Sequence, residues 1–175
     1  MRRIFVLFVL FGFFNQTSFS QEVKWMSFEE AIEAQKTEKK KIFVDLYTDW
    51  CGWCKRMDKT TMTDPFIINY LNSEFYPVKF NAEQDEDITF KGKVFTLQKR
   101  KGKRDYHQLA AHISRNQLSY PTFIFLNENA EVIQPIKGYQ DATTFKTIMT
   151  YIGDDHFKKT PWNQYKKSYS GNSEK

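Results

Sequence analysis

The stretch DLYTDWCGWCKRM, Asp45 to Met57, carries the strongest indication of the fold, because it holds the only two cysteines of the 175-residue chain. Cys51 and Cys54 are separated by two residues and follow the apolar run KIFVDLY, which predicts a strand buried on both faces. A helical stretch opens at the pair. A disulfide across so short a loop removes little entropy from the unfolded chain, so it would contribute little as a structural staple.

The first twenty residues, MRRIFVLFVLFGFFNQTSFS, have the pattern of a secretory signal peptide. Arg2 and Arg3 precede an apolar run of 11 residues, which is too short to cross a bilayer of ~30 Å. Small residues precede the expected cleavage after Ser20. We therefore predict a signal peptide over 1–20, export, and no stable membrane insertion after cleavage. The alternative is an uncleaved N-terminal anchor.

The remaining 155 residues suit one domain, predicted over 21–169, followed by a disordered tail over 170–175. Loss of the two signal-peptide arginines lowers the formal charge from +5 to +3, a surplus too mild to indicate nucleic acid binding. Small domains in oxidising compartments often carry several disulfides, yet this chain offers a single pair of cysteines.

Capping and periodicity predict alternating helices and strands in the first half of the domain. Ser27 and Glu30 form a capping box for a helix that reaches about Lys40. The strand KIFVDLY, the helix at the cysteines, a helix with Pro65 in its first turn, and the strand YPVKFN follow. Together the strands and the intervening helices predict a βαβ unit around the cysteines.

The second half predicts a ββα unit after an excursion of about 84–119. PTFIFL and EVIQPI are joined by the turn NENA as a hairpin, and Asp141 caps the helix that follows. Within the excursion, ITFKGKVFT predicts a hairpin turning at Lys91-Gly92, and DYHQLAAHIS predicts a short helix. The C-terminal TPWNQYKKSY predicts a last helix whose aromatic residues pack on the domain.

The excursion also contains seven basic residues and no acidic one between Lys91 and Arg104. One interpretation is a lid or docking surface for an acidic partner, which would use Lys99, Arg100, Lys101, Lys103 and Arg104. The other is a solvated loop, and we favour it because charge runs are usually solvated.

The chain resembles the thioredoxin superfamily over about 27–152, apart from the excursion. VDLYTDWCGWCK is close to the active-site stretch of that family, VKFNAE to its next strand, YPTF to its cis-proline, and KGYQD to its glycine after the last strand. The combination is most similar to exported thioredoxin-like proteins of Bacteroidetes-type bacteria. The resemblance implies an α/β thioredoxin fold, in which a central mixed sheet is flanked by helices and an insertion separates the βαβ and ββα halves.

Residue chemistry and the resemblance together predict the catalytic groups. The helix dipole favours the thiolate of Cys51, the nucleophile, and Cys54, one turn later, resolves the mixed disulfide. Burial in an apolar strand should raise the pKa of Asp45. The resemblance makes Asp45 the proton acceptor for Cys54 and pairs it with Lys79. The alternatives are a surface carboxylate at Asp45 and an exposed strand lysine at 79.

Four further residues are predicted to bind substrate. The resemblance implies a cis bond between Tyr120 and Pro121, where the backbone of Tyr120 could pair with an extended substrate strand. Trp53 could offer an apolar contact to substrates, although packing on the surface is an equal alternative. Trp50 is the fourth residue assigned to substrate binding, and its ring is expected to pack against neighbouring groups rather than to take part in the reaction.

The predicted function is that of a monomeric periplasmic protein-disulfide reductase that acts on cysteine-containing proteins and receives electrons from a membrane thiol-transfer protein. No cofactor is expected. The three histidines do not complete a zinc site with the cysteines, so we expect no metal. The alternatives are a disulfide oxidase or isomerase, and a peptide-binding module of the same fold whose cysteines are only structural.

Overall fold

A computed structural model describes residues 22–172, which form a central mixed sheet with helices on both faces. The predicted signal peptide and residues 173–175 of the predicted tail lie outside this range. The elements in chain order are α1 (Phe28–Thr37), β1 (Lys41–Tyr47), α2 (Gly52–Thr60), α3 (Pro65–Glu74), β2 (Phe75–Asn81), β3 (Ile88–Phe90), β4 (Lys93–Phe95), β5 (Leu97–Gln98), β6 (Tyr106–His107), α4 (Gln108–Ile113), β7 (Thr122–Leu126), β8 (Val132–Lys137), α5 (Ala142–Gly153) and α6 (Trp162–Asn172).

The four-stranded sheet has the order β2-β1-β7-β8. β1 is parallel to β2 and antiparallel to β7, and β8 pairs antiparallel with β7 at the edge. β1 therefore has neighbours on both sides, and six of its seven residues are buried, as the continuous apolar run predicts. This topology confirms the predicted arrangement of a βαβ unit followed by a ββα unit.

Two apolar layers cover the two faces of the sheet, because alternate residues of each strand point to opposite faces. One layer joins α1, α4 and the β3-β4 hairpin to the sheet through Phe28, Val44, Phe80, Phe90, Leu109 and Ile124. The other joins α2, α3 and α5 to it through Phe43, Met57, Ile67, Phe123, Phe125 and Phe145. Asp45 is two residues from Phe43 and so lies on the face that α2 covers.

The excursion after β2 is a structural part of the domain. The β3-β4 hairpin turns at Lys91 and Gly92, as predicted, and both residues have positive φ, as a type I′ turn requires. Ile88, Phe90 and Phe95 are buried against α1 and the sheet. A second small hairpin, β5 with β6, was not predicted, because strands of two residues carry no usable periodicity.

The ends of two helices differ from the prediction. α1 ends at Thr37 rather than near Lys40, because Glu38 is already extended and Lys41 begins β1. α6 continues to Asn172, so the backbone of 170–172, assigned to the tail by sequence, is helical. The aromatic face of α6 packs on the domain as predicted, with Tyr165 buried. Between residues 22 and 172, no helix has the length and apolarity needed to cross a membrane.

Candidate active site

The cysteine pair lies at the start of α2, directly after the short turn that follows β1. The backbone N-H of Cys51 donates to the carbonyl of Thr48 at 3.0 Å, which turns the chain into the helix. Cys51 is the N-cap residue of α2, and its Sγ accepts the backbone N-H of Cys54 at 3.1 Å. Its sulfur therefore lies at the positive end of the helix dipole, where a thiolate is favoured once the bridge is reduced.

Cys51 and Cys54 are joined by a disulfide, so the structure represents the oxidised state. The two residues are only 4% and 3% exposed. Their neighbours Trp50 and Trp53, in contrast, are 46% and 53% exposed. The two indole rings therefore form part of the protein surface on either side of Cys51 in the sequence, whereas the cysteines themselves are largely buried.

Asp45 is buried in the middle of β1, as predicted, with 3% exposure. Burial raises the pKa of its carboxyl, and the nearby charge of Lys79 only partly offsets this effect. Within residues 22–172, its Oδ1 is buried without a hydrogen-bond partner, whereas Oδ2 accepts from Lys79. A buried carboxyl with one free oxygen and a raised pKa is suited to accept and release a proton.

Lys79 makes the contact with Asp45 that the resemblance implies. It lies opposite Asp45 in the register of β1 and β2, and its Nζ is 2.6 Å from Oδ2 of Asp45. The same ammonium contacts the carboxylate of Asp58 on α2. Burial lowers the pKa of Lys79, but the two carboxylates outweigh this effect and the pKa is raised overall. Lys79 therefore stays positively charged between the two acids.

The segment before β7 lies at the same end of the central strands as the cysteines. β7 is antiparallel to β1, with Thr122 opposite Leu46, so Tyr120 and Pro121 are near the end of β1 that leads to Cys51. The bond between Tyr120 and Pro121 is cis, as the resemblance implies. The rings of Tyr120 and Trp50 are in edge contact at 5.7 Å, which links this segment to the cysteine turn.

An arginine guanidinium lies over the indole ring of each exposed tryptophan. The guanidinium of Arg104 lies 4.1 Å from the ring centre of Trp50, whose Nε1 donates to the carboxylate of Glu83 at 3.0 Å. The guanidinium of Arg56 lies 5.2 Å from the ring centre of Trp53. Such contacts hold an indole ring in place while leaving much of its surface accessible.

Sequence reasoning missed several residues that contact the site. Asp58 could have been found, since it lies four residues after Cys54 and so on the same helical face. Glu83 and Arg104 reach Trp50 from 30 or more residues away in sequence, and no local pattern indicates such contacts.

Comparisons with known proteins agree with this geometry. Residues 28–153 match the model of a thioredoxin-like domain family. The thiol:disulfide interchange protein DsbD of Haemophilus ducreyi is 30% identical over 108 residues, which is 61% of this chain but only 15% of that protein.

Two solved structures are similar to the chain. A thioredoxin-fold protein from Helicobacter pylori has a TM-score of 0.57 and 18% identity, covering 76% of this chain and 81% of its own. A disulphide-isomerase candidate from Bacteroides thetaiotaomicron has a TM-score of 0.53 and 26% identity, covering 76% of this chain and 95% of its own. The chain therefore belongs to the thioredoxin-like domain family.

Proposed function

We propose that this protein is an exported, periplasmic reductase of protein disulfides that uses Cys51 and Cys54 as its redox pair. The observation that carries the proposal is the placement of Cys51 at the N-cap of α2, in the turn that follows β1, the strand in which Asp45 is buried. The N-cap position favours the thiolate of Cys51, the species that attacks disulfides.

The proposed reaction has two exchange steps. The thiolate of Cys51 attacks one sulfur of the substrate disulfide, which forms a mixed disulfide and expels the first substrate thiolate. Cys54 then loses its proton and attacks the sulfur of Cys51, which expels the second substrate thiolate and forms the Cys51–Cys54 bridge. The substrate has gained two electrons, and a dithiol donor must return two electrons to the protein.

Asp45 supports the reductase direction. The attack by Cys54 requires a base, and we assign this role to the buried carboxyl of Asp45. Lys79 connects that carboxyl to Asp58, which lies on α2 one turn after Cys54. The positive charge of Lys79 favours the ionised carboxylate and partly offsets the effect of burial on the pKa of Asp45. Substrate contacts are assigned to the exposed rings of Trp50 and Trp53 and to the backbone around Tyr120 and Pro121.

The proposed electron donor is a membrane protein that transfers thiol equivalents. An exported reductase works in an oxidising compartment, so electrons must reach it from the other side of the membrane. The similarity to a thiol:disulfide interchange protein fits a role in such a chain of exchange reactions. The protein is proposed to act as a monomer in these exchanges.

The protein should catalyse the reduction of insulin by dithiothreitol. We expect precipitation of the insulin B chain, followed as turbidity, to begin earlier as the concentration of the protein is raised, because Cys51 supplies a better nucleophile than dithiothreitol at pH 7. Turbidity that is the same with and without the protein would contradict the reductase. Reactivation of a scrambled disulfide protein in the absence of net reduction would instead favour an isomerase.

A further inference from the structure

Five of the seven basic residues between Lys91 and Arg104 lie on one exposed loop, residues 99–105, which connects β5 to β6 and is called the basic loop here. It contains a single acidic residue, Asp105. Its basic side chains are all exposed: Lys99, Arg100, Lys101, Lys103 and Arg104. Within residues 22–172, no carboxylate lies within ion-pair distance of any of these five side chains.

The basic loop is connected to the turn before the cysteines through two backbone hydrogen bonds at the base of its hairpin and through one side-chain contact. The N-H of Ala82 donates to the carbonyl of Tyr47 at 2.8 Å, and the N-H of His107 donates to the carbonyl of Ala82 at 2.6 Å. The base of the β5-β6 hairpin is thereby attached to the end of β1, four residues before Cys51. Arg104 extends the connection, because its guanidinium lies 4.1 Å from the ring centre of Trp50.

The basic loop also has a defined conformation of its own. The N-H of Arg100 donates to the carboxylate of Asp105 at 2.8 Å, and Nε of Arg100 donates to the carbonyl of Arg104 at 2.7 Å. The guanidinium of Arg100 lies 4.7 Å from the ring centre of Tyr106. The two arginines therefore shape the loop, whereas Lys99, Lys101 and Lys103 present their charges to solvent.

We propose that the basic loop is a docking surface for an acidic polypeptide segment that flanks the disulfide of the protein substrate. The inference rests on the proposed function and adds a substrate class to it. A substrate whose sulfur reaches Cys51 must place its neighbouring residues near Trp50, and so near the basic loop. Carboxylates there would meet several unpaired positive charges, which speeds encounter and favours acidic partners over basic ones.

The test measures how fast the reduced protein reacts with three peptides, each containing one disulfide flanked by Asp-Asp, Ser-Ser or Lys-Lys. The probe of basal chemistry is bis(2-hydroxyethyl) disulfide, which is uncharged. At about 20 mM salt we expect the Asp-Asp peptide to react ~10-fold faster than the Ser-Ser peptide, and the Lys-Lys peptide more slowly than either. At about 500 mM salt the three rates should converge, because salt screens exposed charges.

The variant Lys101→Glu/Lys103→Glu should lose the preference for the Asp-Asp peptide and keep its rate with the uncharged disulfide. The matched control is Lys39→Glu/Lys159→Glu, which makes the same change in net charge. Lys39 precedes the start of β1, and Lys159 follows a 3-10 turn, His156–Lys158. Asp155, just before that turn, pairs with Lys41, the first residue of β1. The two control lysines therefore lie near the start of β1, at the opposite end of that strand from the cysteines. The control variant should keep the preference for the Asp-Asp peptide.

Equal rates for the three peptides in the wild-type protein would overturn the docking surface while leaving the proposed function intact, provided that the uncharged disulfide still reacts. A preference that survives in the loop variant, or that disappears in the control, would also overturn it. Failure of every disulfide to react would overturn the proposed function and the docking surface together.

Discussion

Replacing Cys51 with serine should lower the rate of insulin reduction to that seen without the protein, because a serine hydroxyl cannot act as the attacking thiolate. Cys54→Ser should behave differently. This variant keeps the nucleophile but lacks the resolving thiol, so it should accumulate a stable mixed disulfide with a peptide substrate. Because the chain has two cysteines, an adduct on Cys54→Ser can only be on Cys51.

The adduct is measured as the mass gained by Cys54→Ser after incubation with a disulfide peptide, and it should vanish on treatment with dithiothreitol. Circular dichroism provides the control for folding. The bridge closes a very short loop, so its loss should leave the fold intact. A Cys51→Ser protein that retains activity, or a Cys54→Ser protein that forms no adduct, would favour the module with purely structural cysteines.

Replacing Asp45 with asparagine should slow the release of reduced substrate by roughly 10²-fold at pH 7, the scale of a lost general base. The first attack, by Cys51, should change much less. Stopped-flow kinetics separate the two steps, because formation and decay of the mixed disulfide are followed in one experiment. Asp58→Asn is the matched control: it removes the other carboxylate that contacts Lys79 but retains Asp45.

The substitution Asp45→Asn should also make the protein more stable at neutral pH. Burial raises the pKa of Asp45 in the folded state, so folding costs free energy once the carboxyl ionises in the unfolded chain. The wild-type stability should therefore fall, relative to Asp45→Asn, as the pH rises from about 3.9 through the raised pKa of the folded state. Thermal unfolding measured across this range checks the sign. A variant less stable than wild type at pH 7 would show that the carboxylate is a net stabiliser.

The strand and helix pattern could be predicted from sequence where the signals are local. The capping box at Ser27, the caps at Asp141 and the apolar run of β1 each depend on a few neighbouring residues, and each is present in the structure. The burial of Asp45 was also predicted, because the residues on both sides of it in the strand are apolar, and the structure rules out the alternative of a surface carboxylate.

The contacts made by the excursion could not be predicted in the same way. The β3-β4 hairpin and α4 complete a core layer, and Arg104 of the basic loop reaches Trp50, through packing between residues that are far apart in sequence. Charge patterning favoured a solvated loop. The lysines of the basic loop are indeed exposed, but the contact of Arg104 with the indole ring also places the loop at the redox site.

The reduction potential of the Cys51–Cys54 pair, measured against glutathione with the alkylation rate of Cys51 followed over pH, tests the central claim most directly. If the protein is a reductase, the potential should lie near the ~-270 mV of thioredoxin. One thiol should also be alkylated rapidly at pH values well below the ordinary pKa of a cysteine. A potential near ~-120 mV would instead identify a strong oxidant and contradict the proposed direction of electron flow.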